Sequence, residues 1–505
     1  MRELVQKRGF CRINTPGALL ALVCVLALFP NALNAAPETE RPFVHPLFSD
    51  HMVLQRGMKA PVWGWASPGT KVTVQFAGQT KTAVADADGK WMVHLDKLKA
   101  STEPRELTIG SSGAEGTVKV EDVLVGDVWL CTGQSNMEMG IGNCNVPDDI
   151  ATANFPEIRL LTVPRLIAVQ PVRSASCHWL PCSPSNIMQG VWNGFSAAGF
   201  FFGRELHREL GVPIGLIHSS WGGTVAEAWT SAEGLKPLGD FDNRLEKESQ
   251  MDTTAEGSKK NPNIVTVLYN GMIAPLQPFA IRGAIWYQGE SNAGRAYQYR
   301  ALLPALIQDW RRGFDEKAFP FYIVQLAAFQ ATNSEPRDND WAELREAQAL
   351  TARNALHCGL AVAIDIGNAK DIHPKNKAEV GRRLALCALA TTYGRRIEYA
   401  GPWYKGMKKD GSRVRLKFDH VDGGLVAHGD DLKGFAVAGE DHHFVWANAV
   451  IAGNTVVVSS PDVPNPVAVR YAWDIDPVCN LYNRVGLPAV PFRTDDWRLT
   501  TQGKK

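Results

Sequence analysis

Beyond residue 36 the sequence holds no apolar run long enough to cross a bilayer, which takes about 20 residues in a helix. It also lacks an excess of either charge: 53 Lys and Arg stand against 52 Asp and Glu, a formal net charge of +1. A chain so balanced has no bulk positive field for non-specific nucleic-acid binding, so no nucleic-acid partner is expected. Cysteines never repeat as paired C-x-x-C elements, which argues against zinc; no metal and no cofactor are implied. No periodic repeat is evident.

What is there reads as a packed protein. At about 150 residues per domain, 505 residues suggest roughly three domains, or one large α/β unit with appendages. A hydrophobic share of 45% and a charged share of 21% exclude global disorder and collagen-like repeats. Fifteen Trp suit either sugar-facing platforms or a core with large side chains. Arg2, Lys7, Arg8 and Arg12 precede an uncharged run from Thr15 to Phe29, and small residues follow up to Ala36. That order is a secretory signal peptide (1–36), cut near Ala35 or Ala36, so the mature chain is expected to be secreted or periplasmic with no stable membrane insertion. Nine Cys become seven after cleavage. Cys177 and Cys182, in one polar loop, are candidates for a disulfide in an oxidising compartment.

Texture divides the mature chain in three. Over 37–120, short alternating runs split by Gly, Pro and Asp predict a small antiparallel β-sandwich, with strands such as Ala60–Trp65, Lys71–Phe76 and Lys90–Leu95 and a hairpin loop at 85–89. Over 121–401, strand-like runs (123–130, 214–218, 283–286, 321–326, 360–364) alternate with helical ones (197–210, 297–312, 341–357, 375–393). Such alternation predicts an α/β fold with a parallel sheet flanked by helices. From 402 to 505 β texture returns, as a β-rich module or an extension of the core.

Four segments place polar groups at the carboxyl ends of predicted strands, where open α/β sheets bind ligands. In Cys131-Thr-Gly-Gln-Ser-Asn-Met137, Gly133 permits a sharp turn that projects the Ser135 hydroxyl, with backbone N–H groups around it. In His218-Ser-Ser-Trp-Gly-Gly-Thr224, Gly222 and Gly223 allow close backbone approach to a ligand. In Ile285-Trp-Tyr-Gln-Gly-Glu-Ser-Asn292, Gln288 and Asn292 are neutral amide donors for a developing negative charge. Finally Asp371-Ile-His-Pro374 has the composition of a general base, His373, with an orienting carboxylate two residues away; Asp365 is the other candidate orienter.

Together the four segments resemble the SGNH/GDSL hydrolase superfamily and, more closely, the sialate O-acetylesterase family. The resemblance rests on Gly126-Asp-Val-Trp-Leu-Cys-Thr-Gly-Gln-Ser-Asn-Met137, Trp286-Tyr-Gln-Gly-Glu290 and Asp371-Ile-His-Pro374, and extends to the Pro46-Leu-Phe-Ser-Asp50 opening. It implies an SGNH-like catalytic domain and an exported serine esterase that removes acetyl groups from an O-acetylated sugar or glycan. Ser135 would be the nucleophile and His373 its base. The superfamily places the acid three residues before the His; here Lys370 holds that place, so the third member is Asp371 or Asp365. The oxyanion hole would combine the Ser135 N–H, a Gly222 or Gly223 N–H, and the amide of Gln288 or Asn292.

Three other readings compete. One is an acetylxylan or other glycan acetylesterase; one is a non-catalytic carbohydrate-binding protein; one is a thiol hydrolase using Cys131. Arg345 reads as a structural cation or, less simply, a contact for a substrate carboxylate. His442 and His443 read as the surface of a β-module. The motifs leave oligomeric state open.

Overall fold

The computed structural model describes residues 41–251, 261–316 and 318–505; the predicted signal peptide lies outside them. The alternating run Lys71–Phe76 buries Val72, Val74 and Phe76 and exposes or half-exposes the residues between, the pattern of a strand covered on one side. It pairs antiparallel with Gln79–Val84 and Ser101–Ser111, while Ala60–Trp65 pairs antiparallel with Lys90–Leu95. The turn at 85–89 forms as its composition demands: the Asp86 carboxylate accepts the Asp88 and Lys90 N–H groups, and Gly89 takes φ +78°. It is not a hairpin, however. The strands it joins pair with different partners, because Val72 and Val74 on one layer and Trp91 and Val93 on the other are both buried in one core. The turn therefore carries the chain from one layer to the other.

The strand Thr117–Gly133 spans the expected boundary at 120/121 without a break. Its first part pairs antiparallel with Ser101–Ser111. Its last part lies between Ile214–Ser220 and Gly283–Tyr287, parallel to both. Burial follows this change of company: exposed and buried residues mix up to Asp122, and every residue from Val123 to Gly133 is buried. Continuous burial is what a parallel strand covered on both faces requires.

Across the parallel sheet the order is Cys358–Ala361, Phe321–Val324, Gly283–Tyr287, Thr117–Gly133, Ile214–Ser220, Phe155–Thr162, with Trp179–Cys182 antiparallel at the edge. Successive residues face opposite layers. Trp129, Cys131, Ile285 and Tyr287 join one apolar core with Phe200, Phe202, Val380 and Leu384 of the helices Ala197–Leu210 and Lys377–Thr391. Leu130, Ala284 and Trp286 join another with Leu303, Trp310, Leu344 and Ala347 of the helices Ala296–Gly313 and Asp340–Asn354. The helices have readable caps: Ser196, Asn339 and Asn376 accept first-turn N–H groups, and Gly211 closes its helix at φ +63°. The helical run predicted over 297–312 extends by one residue at each end, to Ala296–Gly313, with Phe314 as the cap.

From Trp403 onward the chain is β-rich. Four antiparallel strands run Trp403–Asp410, Arg413–Asp419, Thr455–Ser459, Asn448–Ala452; a second set includes Phe435–Ala438 and Ala468–Tyr471. The seven described cysteines are all free thiols, so the Cys177–Cys182 disulfide does not form. Cys177 packs against one apolar core, whereas Cys182 belongs to the other and donates to the Ala153 carbonyl. Among the described residues, no helix is long and apolar enough to cross a membrane.

Candidate active site

The strand Thr117–Gly133 stands where the strand order changes direction: the chain first builds outward on one side of it, then crosses to the other. Such a switch point opens a crevice at the carboxyl ends of the strands. Gly133, the last residue of this strand, pairs with Ser220 on one side and Tyr287 on the other. Its φ is +141°, and a Cβ there would meet the Tyr287 carbonyl oxygen at 2.2 Å, so only glycine fits. The chain turns at once: the Gln134 N–H donates to the Tyr287 carbonyl, and one helical turn begins at Ser135. Ser135 is half-buried, and among the described residues no hydrogen bond holds its hydroxyl.

The next residue, Asn136, is buried and joins three parts of the chain. Its Nδ2 donates to Glu290 Oε1 at 2.6 Å and to the Ile372 carbonyl at 3.0 Å, and its Oδ1 accepts from Lys377 Nζ at 2.5 Å. The residue after Ser135 is thus bonded to the residue before His373. Burial pushes the Lys377 ammonium down to about 8, and burial likewise raises the Glu290 carboxyl above its usual range.

His373 sits edge-on to Trp192, with ring centroids 4.9 Å apart. Its backbone N–H donates to Asp371 Oδ1 at 2.9 Å, and the same oxygen lies 3.6 Å from Nδ1. That separation is an ion-pair contact rather than a formed hydrogen bond. Partial burial, the largest effect, and Lys377 lower the His373 pKa, and Asp371 opposes them. Asp365 is committed elsewhere: both its oxygens accept from Arg383, at 2.6 and 2.8 Å, and Tyr482 donates to it as well. Of the two candidate orienters, Asp371 is the one beside the imidazole.

The glycine segment closes over Ser135. A Cβ on Gly222 would lie 3.2 Å from that of Ser135. The Gly222 N–H, however, donates to Glu138 Oε2 at 2.8 Å, while Glu138 Oε1 is held by Arg165. Gly223 takes φ +74° in open space, and neither its N–H nor that of Ser135 has an acceptor among the described residues.

The predicted amide donors are placed differently from expectation. Gln288 is wholly buried: its Nε2 donates to the Thr224 carbonyl and to Asn292 Oδ1, and its Oε1 accepts from Tyr299. Asn292 Oδ1 also accepts from the Ala226 N–H, and its Nδ2 donates to Glu227. Both side chains therefore brace the loop behind Ser135, and Gln288 has no N–H left for a ligand. The sequence showed them as polar groups at a strand exit and gave no sign of these partners.

Other candidates resolve as structural. Burial pushes the Cys131 thiol far up, and the residue is completely enclosed, so it cannot serve as an accessible thiolate. Arg345 is fully buried and donates to the carbonyls of Leu326, Ala327, Asp474 and Ile475, which fastens the C-terminal region to the sheet. His442 stacks on Trp497 at 3.7 Å. Sequence reasoning missed Asn136, Glu138, Arg165 and Lys377. Asn136 lies inside the nucleophile motif, but Lys377 has nothing in sequence to separate it from Lys370 or Lys375.

Comparison with known proteins gives the family. A family model described as carbohydrate esterase, sialic acid-specific acetylesterase, matches residues 125–390. Sialate O-acetylesterase of Mus musculus is 32% identical, covering 88% of this chain and 92% of its own length. The Homo sapiens protein of the same name is 32% identical over 94% of this chain and 96% of its own. A crystal structure of a carbohydrate acetylesterase from Xanthomonas citri superposes with a TM-score of 0.81 at 41% identity, covering 91% of this chain and all of that one. With its switch-point serine, the imidazole loop tied beside it and these relatives along nearly its whole length, the chain belongs to the carbohydrate esterase family of sialic acid-specific acetylesterases.

Proposed function

We propose that this protein is an exported carbohydrate O-acetylesterase that works through an acetyl-enzyme on Ser135, with O-acetylated sialic acid as substrate. The observation that carries the mechanism is the 3.0 Å bond from Asn136 Nδ2 to the Ile372 carbonyl, which holds the His373 loop beside the Ser135 turn. The choice of sugar rests on the names of the relatives.

An unassisted serine hydroxyl is a weak nucleophile at neutral pH, so a base must take its proton as it attacks the acetyl carbonyl. His373, kept neutral by partial burial, is that base. The tetrahedral oxyanion accepts the Ser135 and Gly223 N–H groups. When it collapses, the sugar alkoxide leaves and takes the proton from His373. Water then attacks the acetyl-enzyme, losing a proton to the imidazole; the second tetrahedral intermediate collapses, Ser135 Oγ takes that proton back from His373, and acetic acid departs and ionises to acetate. Asp371, 3.6 Å from Nδ1, stabilises the imidazolium formed in each half-reaction.

Ser135→Ala is expected to abolish hydrolysis of a small acetyl ester with melting temperature kept; undiminished turnover defeats the reading. Acetylated sialic acid should surpass acetylated xylan in kcat/KM, and the reverse order would reassign the substrate. Export is checked by the amino terminus of the mature protein, which should begin after Ala35 or Ala36.

A further inference from the structure

We propose that Asn136, Glu290 and Lys377 form a positioning cluster that sets the His373 loop against the Ser135 turn; it rests on the serine-esterase reading above. None of the three is assigned contact with the reacting atoms. Each comes from a different part of the chain: the turn after the strand Thr117–Gly133, the exit of the strand Gly283–Tyr287, and the first residue of the helix Lys377–Thr391.

The chemistry of the partners fixes how Asn136 points. An ammonium only donates, so Oδ1 faces Lys377; a carboxylate and a carbonyl only accept, so Nδ2 faces Glu290 and Ile372. No flip of the amide satisfies all three. The position of the Ile372 carbonyl, and with it the start of the His373 segment, is therefore determined by side chains on two other elements.

The cluster is also costly as mere scaffolding. Lys377 is fully buried, with Nζ 4.8 Å above the Tyr287 ring, and Glu290 Oε2 is enclosed with no hydrogen-bond partner among the described residues. Replacing a whole buried charged set by well-packed apolar residues is often neutral or stabilising, although removing one partner alone is destabilising, so stability alone does not explain the set. Holding a base in register with its nucleophile does, since a displacement of about 1 Å can cost about 10²-fold in rate.

The test uses the full mature chain and a small acetyl ester. Lys377→Met, which leaves Glu290 and Asn136 Oδ1 without their cation, should lower the melting temperature, while kcat per folded molecule falls by about ten- to a hundredfold and KM stays within about threefold. Glu290→Gln, which retains an oxygen for Asn136, should lose less kcat than Glu290→Leu. Wild-type kcat in Lys377→Met and in Glu290→Leu overturns the proposal, as does a loss that appears in KM alone or only in proportion to lost folded protein. If Asn136→Ala fails to fold, the Lys377 and Glu290 variants decide. Inactive Ser135→Ala together with fully active cluster variants overturns this inference and leaves the esterase reading standing; active Ser135→Ala overturns both.

Discussion

At the scale of single residues, the site is governed by what each polar group already holds. The His373 imidazole is the clearest case. Its lowered pKa means that the neutral form persists to lower pH than in a free histidine at about 6.5. The acid limb of kcat/KM should therefore have its midpoint below 6.5. Asp371 opposes the downward shift, so Asp371→Asn should move that midpoint lower still while reducing kcat, which pH–rate profiles of the two proteins would reveal. A midpoint above 6.5 in the wild type would contradict the assignment. The sharp turn at Gly133 that carries Ser135 was legible from the sequence because its turn chemistry marked it, and residue type drew attention to His373. Gln288 misled for a physical reason: an amide at a strand exit looks alike whether it faces a ligand or a carbonyl of its own loop, and here Thr224 and Asn292 take both of its hydrogens.

At the scale of elements, sequence periodicity reported strands and helices well wherever one pattern held throughout. Lys71–Phe76 and Ala197–Leu210 form over the ranges their alternation and caps predict. Pairing was harder to read, since a tight turn such as 85–89 does not reveal whether it folds a strand back on itself or passes it to another layer. The caps give a direct measure of local contribution. Asn339 accepts the N–H groups of Trp341 and Ala342, and Asn339→Ala should cost about 1 kcal/mol in urea unfolding. Gly133→Ala should be worse, by about 2–4 kcal/mol, because its methyl group has a carbonyl oxygen in its place. An unchanged urea midpoint in either variant would refute the corresponding account.

At the scale of the whole molecule, buried histidines couple folding to pH. Burial pushes both His45 and His218 down to about 4, so each is neutral in the folded protein and more readily protonated when unfolded. Their contribution is complete above about 6.5 and is lost as pH falls toward 4, on the order of 3 kcal/mol per residue. His218→Asn should flatten the fall of melting temperature across that window relative to the wild type. An equally steep fall would show that other groups control acid unfolding.

The strand Thr117–Gly133 serves two sheets at once, and this restricts how the protein can be taken apart. An exchange of modules between relatives that joins sequences at residue 120 would cut through the very segment whose far end presents the nucleophile. Recombination should succeed when the front layers travel together with the residues up to the turn, and chimaeras spliced inside the strand should lose turnover even where both parents are active.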